Sequence, residues 1–208
     1  MFLLRVQLPD TPGTLGRLAV AIGDIGGNIL SLEIVDHTGD SAIDDFMVEL
    51  PAGALPDSLV SACQAIPGVR VLWVSRHHNS WRVESDVALL GRMSDSPGQG
   101  DRILTEEAPN AFNSTWAALL DHSGQPVKVA HATDLAPDFA QDGVGALGDL
   151  TTVRTFELPA EWLPQWGETI VALAPLTNHR VIVIGRQGGP AYLNYELTRL
   201  KHLAALAD

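Results

Sequence analysis

Pro9-Asp10-Thr11-Pro12-Gly13-Thr14-Leu15, followed a helix's length later by Gly27-Asn28-Ile29, is the stretch whose reading decides the fold of this chain. Just upstream, Leu4, Val6 and Leu8 alternate with Arg5 and Gln7, and a period of two means a half-buried strand. Pro9 to Gly13 breaks the alternation with turn chemistry. Downstream, Leu15, Leu18, Ala19, Ile22 and Ile25 recur at helical spacing and form one apolar stripe. Gly26-Gly27-Asn28 then ends the helix with residues that tolerate positive φ.

The pattern continues outward. Leu30, Leu32 and Ile34 alternate with Ser31 and Glu33, giving a second strand; Phe46, Val48 and Leu50 alternate with Asp45, Met47 and Glu49, giving a third. The polar turn His37–Ser41 between them predicts a hairpin. Pro56-Asp57 opens a second helix with Leu59, Val60, Cys63 and Ile66 inward, Pro67-Gly68 stops it, and Val69–Val74 is a last strand. The order β-α-β-β-α-β predicts a ferredoxin-like α+β domain, with both helices on one face of a four-stranded sheet and the other face open.

A strand, a D-x-P-G-x-L turn, a helix of about a dozen residues and then G-N-I resembles the ACT regulatory domain, over residues 1–76. The turn feeds a helix N-terminus, whose backbone N–H groups and dipole suit a carboxylate. Gly13 lets a ligand approach the backbone, Asp10 can accept from an ammonium, and Asn28 carries both a donor and an acceptor. The resemblance implies an effector, an amino acid or similar small molecule, held at a homodimer interface between this loop and the partner's strand. It implies contacts at Asp10, Thr11, Gly13, Asn28 and Ile29, with Pro12 and Thr14 completing the backbone stretch that meets the carboxylate. Each residue also has a structural reading: Asp10 as a turn or capping residue, Gly13 as a turn glycine, Asn28 as a left-handed residue beyond a helix. Leu8 stands where some amino-acid-binding members carry a polar side chain, which favours a different or more apolar effector over a serine-like one.

Residues 77–84 read as a polar linker. Beyond it come a helical pattern (Val87, Leu89, Leu90, Met93), an interruption at Ser94–Gly100, and a resumed helix from Ile103 to Ala108. Strands follow at Thr115–Leu120 and Val127–His131, then a loop with a short helix over 134–150. Three more strands (Thr152–Leu158, Thr169–Ala174, Arg180–Gly185) precede a closing helix with Leu193, Leu197, Leu200, Leu203 and Leu206 inward. This order, with Val181–Gly185 and Gly188-Gly189-Pro190 leading into the last helix, resembles a GAF-like domain with a central antiparallel sheet over 85–208. The resemblance implies a small-molecule pocket roofed by residues 132–155. The asparagine–lysine start of the cyclic-nucleotide motif and a bilin-bearing cysteine are both missing, so those ligands are unsupported and an empty structural domain is equally open.

A chain of 208 residues that is 46% hydrophobic and 18% charged can bury a core. A net charge of −12 disfavours nucleic acid and anionic membranes as partners. With one cysteine, Cys63, no intrachain disulfide is possible, and the absence of a signal-like or membrane-length apolar run predicts a cytoplasmic protein. No cofactor, metal or catalytic residue is expected. His77-His78 are adjacent and point apart, and His122 and His131 sit on facing ends of a hairpin without a third ligand. Cys63 lies on an inner helix face. Gly185-Arg-Gln-Gly-Gly-Pro190 lacks phosphate-loop spacing and reads as a strand-to-helix turn. Asp44-Asp45 face opposite sides of a strand, one of them capping the hairpin end. Trp73, Trp81, Trp116, Trp162 and Trp166 read as core, with Trp162 and Trp166 also placed to close a flap over the second domain. The expected function is an allosteric, amino-acid-binding sensor. The alternatives are a regulatory subunit or dimerisation module that docks an enzyme or transcription factor, and an enzyme built around His131, Asp134 and Arg154.

Overall fold

The computed structural model describes residues 1–76, 82–139, 143–162 and 167–207. His77-His78, Trp81, Trp166 and part of the linker lie outside them. The chain is mixed α+β, with two antiparallel sheets and six helices among the described residues, and it divides into two compact units, Met1–His78 and Asn79–Asp208.

The first unit runs β1 (Phe2–Pro9), α1 (Thr14–Asp24), β2 (Asn28–Thr38), β3 (Ser41–Glu49), α2 (Pro56–Gln64) and β4 (Arg70–Arg76). The sheet order is β2-β3-β1-β4, all antiparallel, so β2 and β4 are edges. Leu4, Val6 and Leu8 of β1 and Phe46 and Val48 of β3 pack against Leu18 and Ile22 of α1 and Leu59 and Cys63 of α2. This is the face that the two helical stripes require.

Four local expectations are corrected. The opposite face is not open: Leu3, Arg5, Asp45 and Met47 are all buried. Arg5 and Asp45 are register partners, and Arg5 Nε and Nη2 donate to Asp45 Oδ1 and Oδ2 at 2.7 and 2.9 Å, so the buried charge is matched in a two-pronged pair. Asp45 therefore does not cap the hairpin, whose tip carries Gly39 at positive φ. Leu30 and Ile34 are exposed: Leu30 is the extra residue of a bulge between Ile29 and Ser31, and Ile34, on the same face as Asp44, stands on an edge strand. At the end of α1 only Gly26 takes a positive φ; Gly27 serves close packing, since a Cβ there would lie 2.7 Å from Ile22 Cγ2, and Asn28 is already in the strand.

The second unit comprises α3 (Arg82–Asp95), α4 (Gly100–Ala111), β5 (Trp116–Asp121), β6 (Lys128–Ala132), α5 (Gly143–Leu147), β7 (Arg154–Glu157), β8 (Thr169–Pro175), β9 (Arg180–Gln187) and α6 (Asn194–Leu206). Its antiparallel sheet has the order β6-β5-β9-β8-β7. One face carries Ala117, Ile182 and Ile184 against Leu89, Leu104, Leu200 and Leu203 of the long helices. The other carries Trp116, Leu173 and Val183 beneath Phe139, Leu147 and Leu150. Leu206 is exposed rather than inward, because the stripe of α6 passes through Leu200, Leu203, Ala204 and Ala207. The glycine-rich stretch is a strand-to-helix turn. Arg186 within it is buried, donating to Phe112 O, Asn113 O, Pro190 O and Glu196 Oε1 and stacking 4.0 Å from the Tyr192 ring.

Candidate functional site

The β1–α1 loop is built as its turn chemistry dictates. Gly13 stands at φ +90° at the N-cap of α1, no side chain caps that end, and nothing lies within 4 Å of where a Gly13 Cβ would be. Asp10 N bonds Asp40 O at 2.8 Å and Thr11 N bonds Pro9 O at 2.8 Å, so the loop is tied to the β2–β3 turn. The Thr11 and Thr14 hydroxyls are 2.8 Å apart, and Arg17 Nη2 donates to Thr14 Oγ1 at 3.0 Å. Asp10, Thr11, Pro12 and Gly13 are exposed and Thr14 is buried. His37 Nδ1 lies 3.2 Å from Asp10 Oδ2, which makes Asp10 part of a charged rim.

The structure gathers Asp10, Thr11, Pro12, Gly13 and Thr14 but not Asn28 and Ile29. Pro9 pairs with Ser41, and Ser41 with Thr38, at one end of the sheet; Phe2 pairs with Val48, and Val48 with Ile29, at the other. The two ends are about 23 Å apart at roughly 3.3 Å per residue. Within one chain, no small molecule touches both the loop and Asn28.

Sequence reasoning also passed over a residue beneath the loop. Asp44 is on the helix-covered face of β3, between Val6 and Ile34 in register, and two residues on, Ala42 faces Leu8 and His37. It is 2% exposed and its Oδ1 is buried with no hydrogen-bond partner. Loss of water raises its pKa to about 6; His37 opposes the rise, and the nearby Asp45 and Asp10 carboxylates add to it. The doubled Asp44-Asp45 was the only sequence signal, and alternation does place the two on opposite faces.

In the second unit the suggested catalytic trio is not assembled. His131 is on edge strand β6, on the helix side, with Nε2 3.2 Å from Glu106 Oε1. Arg154 is on the opposite edge strand β7, registered with Leu173 on the other face, and binds Leu147 O. Four inter-strand spacings separate the edges, about 19 Å, and Asp134 is exposed. His122 meets the ring of His179, not His131, and no cluster of three or more metal-ligating side chains occurs among the described residues. Under residues 132–155, where a pocket was expected, Phe139, Leu147 and Leu150 fill the space over Trp116, and the Trp162 ring packs tilted against Phe139, with centroids 5.7 Å apart. An open cleft of about 380 Å³ lies instead against α3 and α4, lined by Arg92, Gln99, Arg102 and Glu106. Both of its guanidiniums are engaged, Arg92 by Glu107 and Arg102 by Glu106.

Among the described residues, no helix is long and apolar enough to cross a membrane. No family model matches the chain. No curated protein matches it either. The crystal structure of an unknown protein from Galdieria sulphuraria aligns over 99% of this chain and 89% of that one, at 13% identity and a TM-score of 0.33, too low to carry an argument.

Proposed function

We propose that the first unit is an ACT-type sensor domain that binds an amino acid between two copies of the chain, and that the second is a GAF-like domain whose apolar core plays a structural part. The observation that carries this reading is that the two halves of the ligand set stand at opposite ends of one edge strand. The uncapped α1 N-terminus and Asp10 lie beside the Thr38 end of β2, and Asn28 is its first residue. If two β2 edges pair antiparallel about a two-fold axis, each Asn28 comes to the other copy's Asp10 loop. Exposed Leu30 and Ile34 on that edge supply apolar contact. The buried face around Arg5 and Asp45 favours this side-by-side pairing over a face-to-face one. In the second unit, the β6-β5-β9-β8-β7 order with long helices on one face supports the GAF-like reading.

In the ligand site, the effector carboxylate meets the α1 N-terminal N–H groups and its ammonium meets Asp10. The test is thermal unfolding with each amino acid at millimolar concentration. An amino acid at 100 times its dissociation constant stabilises by about 2.7 kcal/mol. Asp10→Ala and Asn28→Ala each abolish the shift. Mixing and re-annealing the two variants restores part of it, because a mixed dimer has one intact composite site. A dimer that binds no amino acid would instead favour a docking or dimerisation module.

A further inference from the structure

A carboxylate buried without a donor is costly, and proteins retain such a group where something else supplies the missing partner. Asp44, 2% exposed, carries such an oxygen in Oδ1. It lies one row of the sheet in from His37 and Leu8, on the helix-covered face. Ile34, its neighbour across β2, is about half exposed, so Asp44 sits at the margin of the core rather than at its centre. The charged groups that act on it are His37 of β2, Asp10 of the β1–α1 loop and Asp45 of its own strand. Asp45 is turned to the other face and bound to Arg5. On α1 the nearest cation of the loop, Arg17, donates to Thr14. Two carboxylates, Asp10 at the rim and Asp44 beneath, thus share the site with one titratable ring.

We propose that Asp44 is the specificity-determining floor of the site: with Asp10 it receives a primary ammonium group, which gives Asp44 Oδ1 the hydrogen-bond donor it lacks. This deepens the ligand reading above and rests on it for the position of the site. It also narrows the ligand class to molecules that carry a protonated primary amine, and turns away carboxylic acids that have none. Binding is coupled to a proton. An ammonium favours the ionised carboxylate, so below about pH 6 the Asp44 carboxyl must release its proton to solvent as the cation enters. Affinity therefore rises with pH and levels off above neutrality. Between pH 5 and pH 7.5 the expected gain is about tenfold for one linked proton.

The experiment compares the full chain and Asp44→Asn by thermal unfolding with ethylammonium chloride, sodium propionate and the set of amino acids. Ionic strength is matched with sodium chloride, and the series is run at pH 5 and pH 7.5. The expected result is a stabilising shift of the unaltered chain by ethylammonium and by one or more amino acids, larger at pH 7.5, and lost in Asp44→Asn. Propionate gives none. If amino acids shift both proteins equally, the ligand reading stands and the role of Asp44 is overturned. If ethylammonium acts through Asp44 but no amino acid shifts either protein, the ammonium subsite stands and the amino-acid reading fails. If no compound shifts either protein, both are overturned.

Discussion

The buried Asp44 carboxyl makes a prediction that needs no ligand. It is lifted from its ordinary 3.8 to about 6, chiefly by loss of water. Well below pH 4 the group is protonated in the folded and unfolded chain alike, and no penalty exists. Between about 4 and 6 the unfolded chain releases the proton and the folded chain keeps it, so stability falls as pH rises. Above 6 both forms are ionised and the full penalty persists. At about 1.4 kcal/mol per pH decade, ionisation of the native carboxyl costs on the order of 3 kcal/mol. Asp44→Asn cannot ionise, so the variant gains on the unaltered chain by that order as pH climbs from 4 to 7. The assay is urea unfolding by tryptophan fluorescence at half-unit steps from pH 4 to pH 8. With a denaturant slope of about 1–3 kcal/mol per molar, the midpoint difference opens by roughly 1–3 M across the window. Titrating groups that do not interact with Asp44 are common to both proteins and drop out of the difference; His37, Asp45 and Asp10, which do interact with it, change the difference by less than burial, the largest cause of the shift. Parallel pH profiles would refute the reasoning, because they would mean that Asp44 is solvated or partnered in the native state.

Three further outcomes follow from the packing. Gly185→Ala is expected to destabilise the second unit by at least about 3 kcal/mol, since the new Cβ would lie 2.0 Å from the buried Trp116 ring; a calorimetric transition within a degree of the unaltered chain would contradict this. Arg186→Met strips the donor from three carbonyls and from the buried Glu196, and should cost about 3–5 kcal/mol. The double variant with Glu196→Gln should cost less than the sum of the single changes, checked by a double-mutant cycle in urea. Burial pushes the Cys63 thiol up to about 11. Its reaction with a disulfide reagent at pH 8 should therefore be much slower than in urea-unfolded chain, with absorbance at release of the thiolate as the readout.

What could be read from the sequence was whatever depends on near neighbours. The turn at Asp10–Gly13, the stripe of α1 and the alternation of Leu4, Val6 and Leu8 all report local geometry, and each is found where expected. Arg5 looked like a solvent-side residue because its partner Asp45 is 40 positions away, and only the β1–β3 register joins them. Leu30 was misplaced because a bulge carries no fixed residue signature, and Ile34 because local pattern does not tell an edge strand from an inner one. The proposed ligand set was legible as residue types but not as a location, since the distance between Asp10 and Asn28 is set by the strand that separates them. Asp44 was hidden for a similar reason. A carboxylate's lack of a partner belongs to its surroundings, and neighbouring residues in the chain do not reveal it.

The order β6-β5-β9-β8-β7 carries a kinetic consequence. Inner strand β5 is flanked by β6, a short hairpin away, and by the central strand β9, which begins with Arg180 and pairs Gly185 with Trp116. The seam between β5 and β9 is thus closed by partners 59 to 69 positions apart, and such closures slow folding because chain entropy must be surrendered before the contact rewards it. Until then Trp116-Ala-Ala-Leu-Leu120 is an apolar ribbon with one side unzipped, and Asp121 is the charge at its end. Refolding yield at high protein concentration should hinge on this ribbon more than on any part of the first unit, because a second molecule's strand can occupy the vacant seam before β9 does.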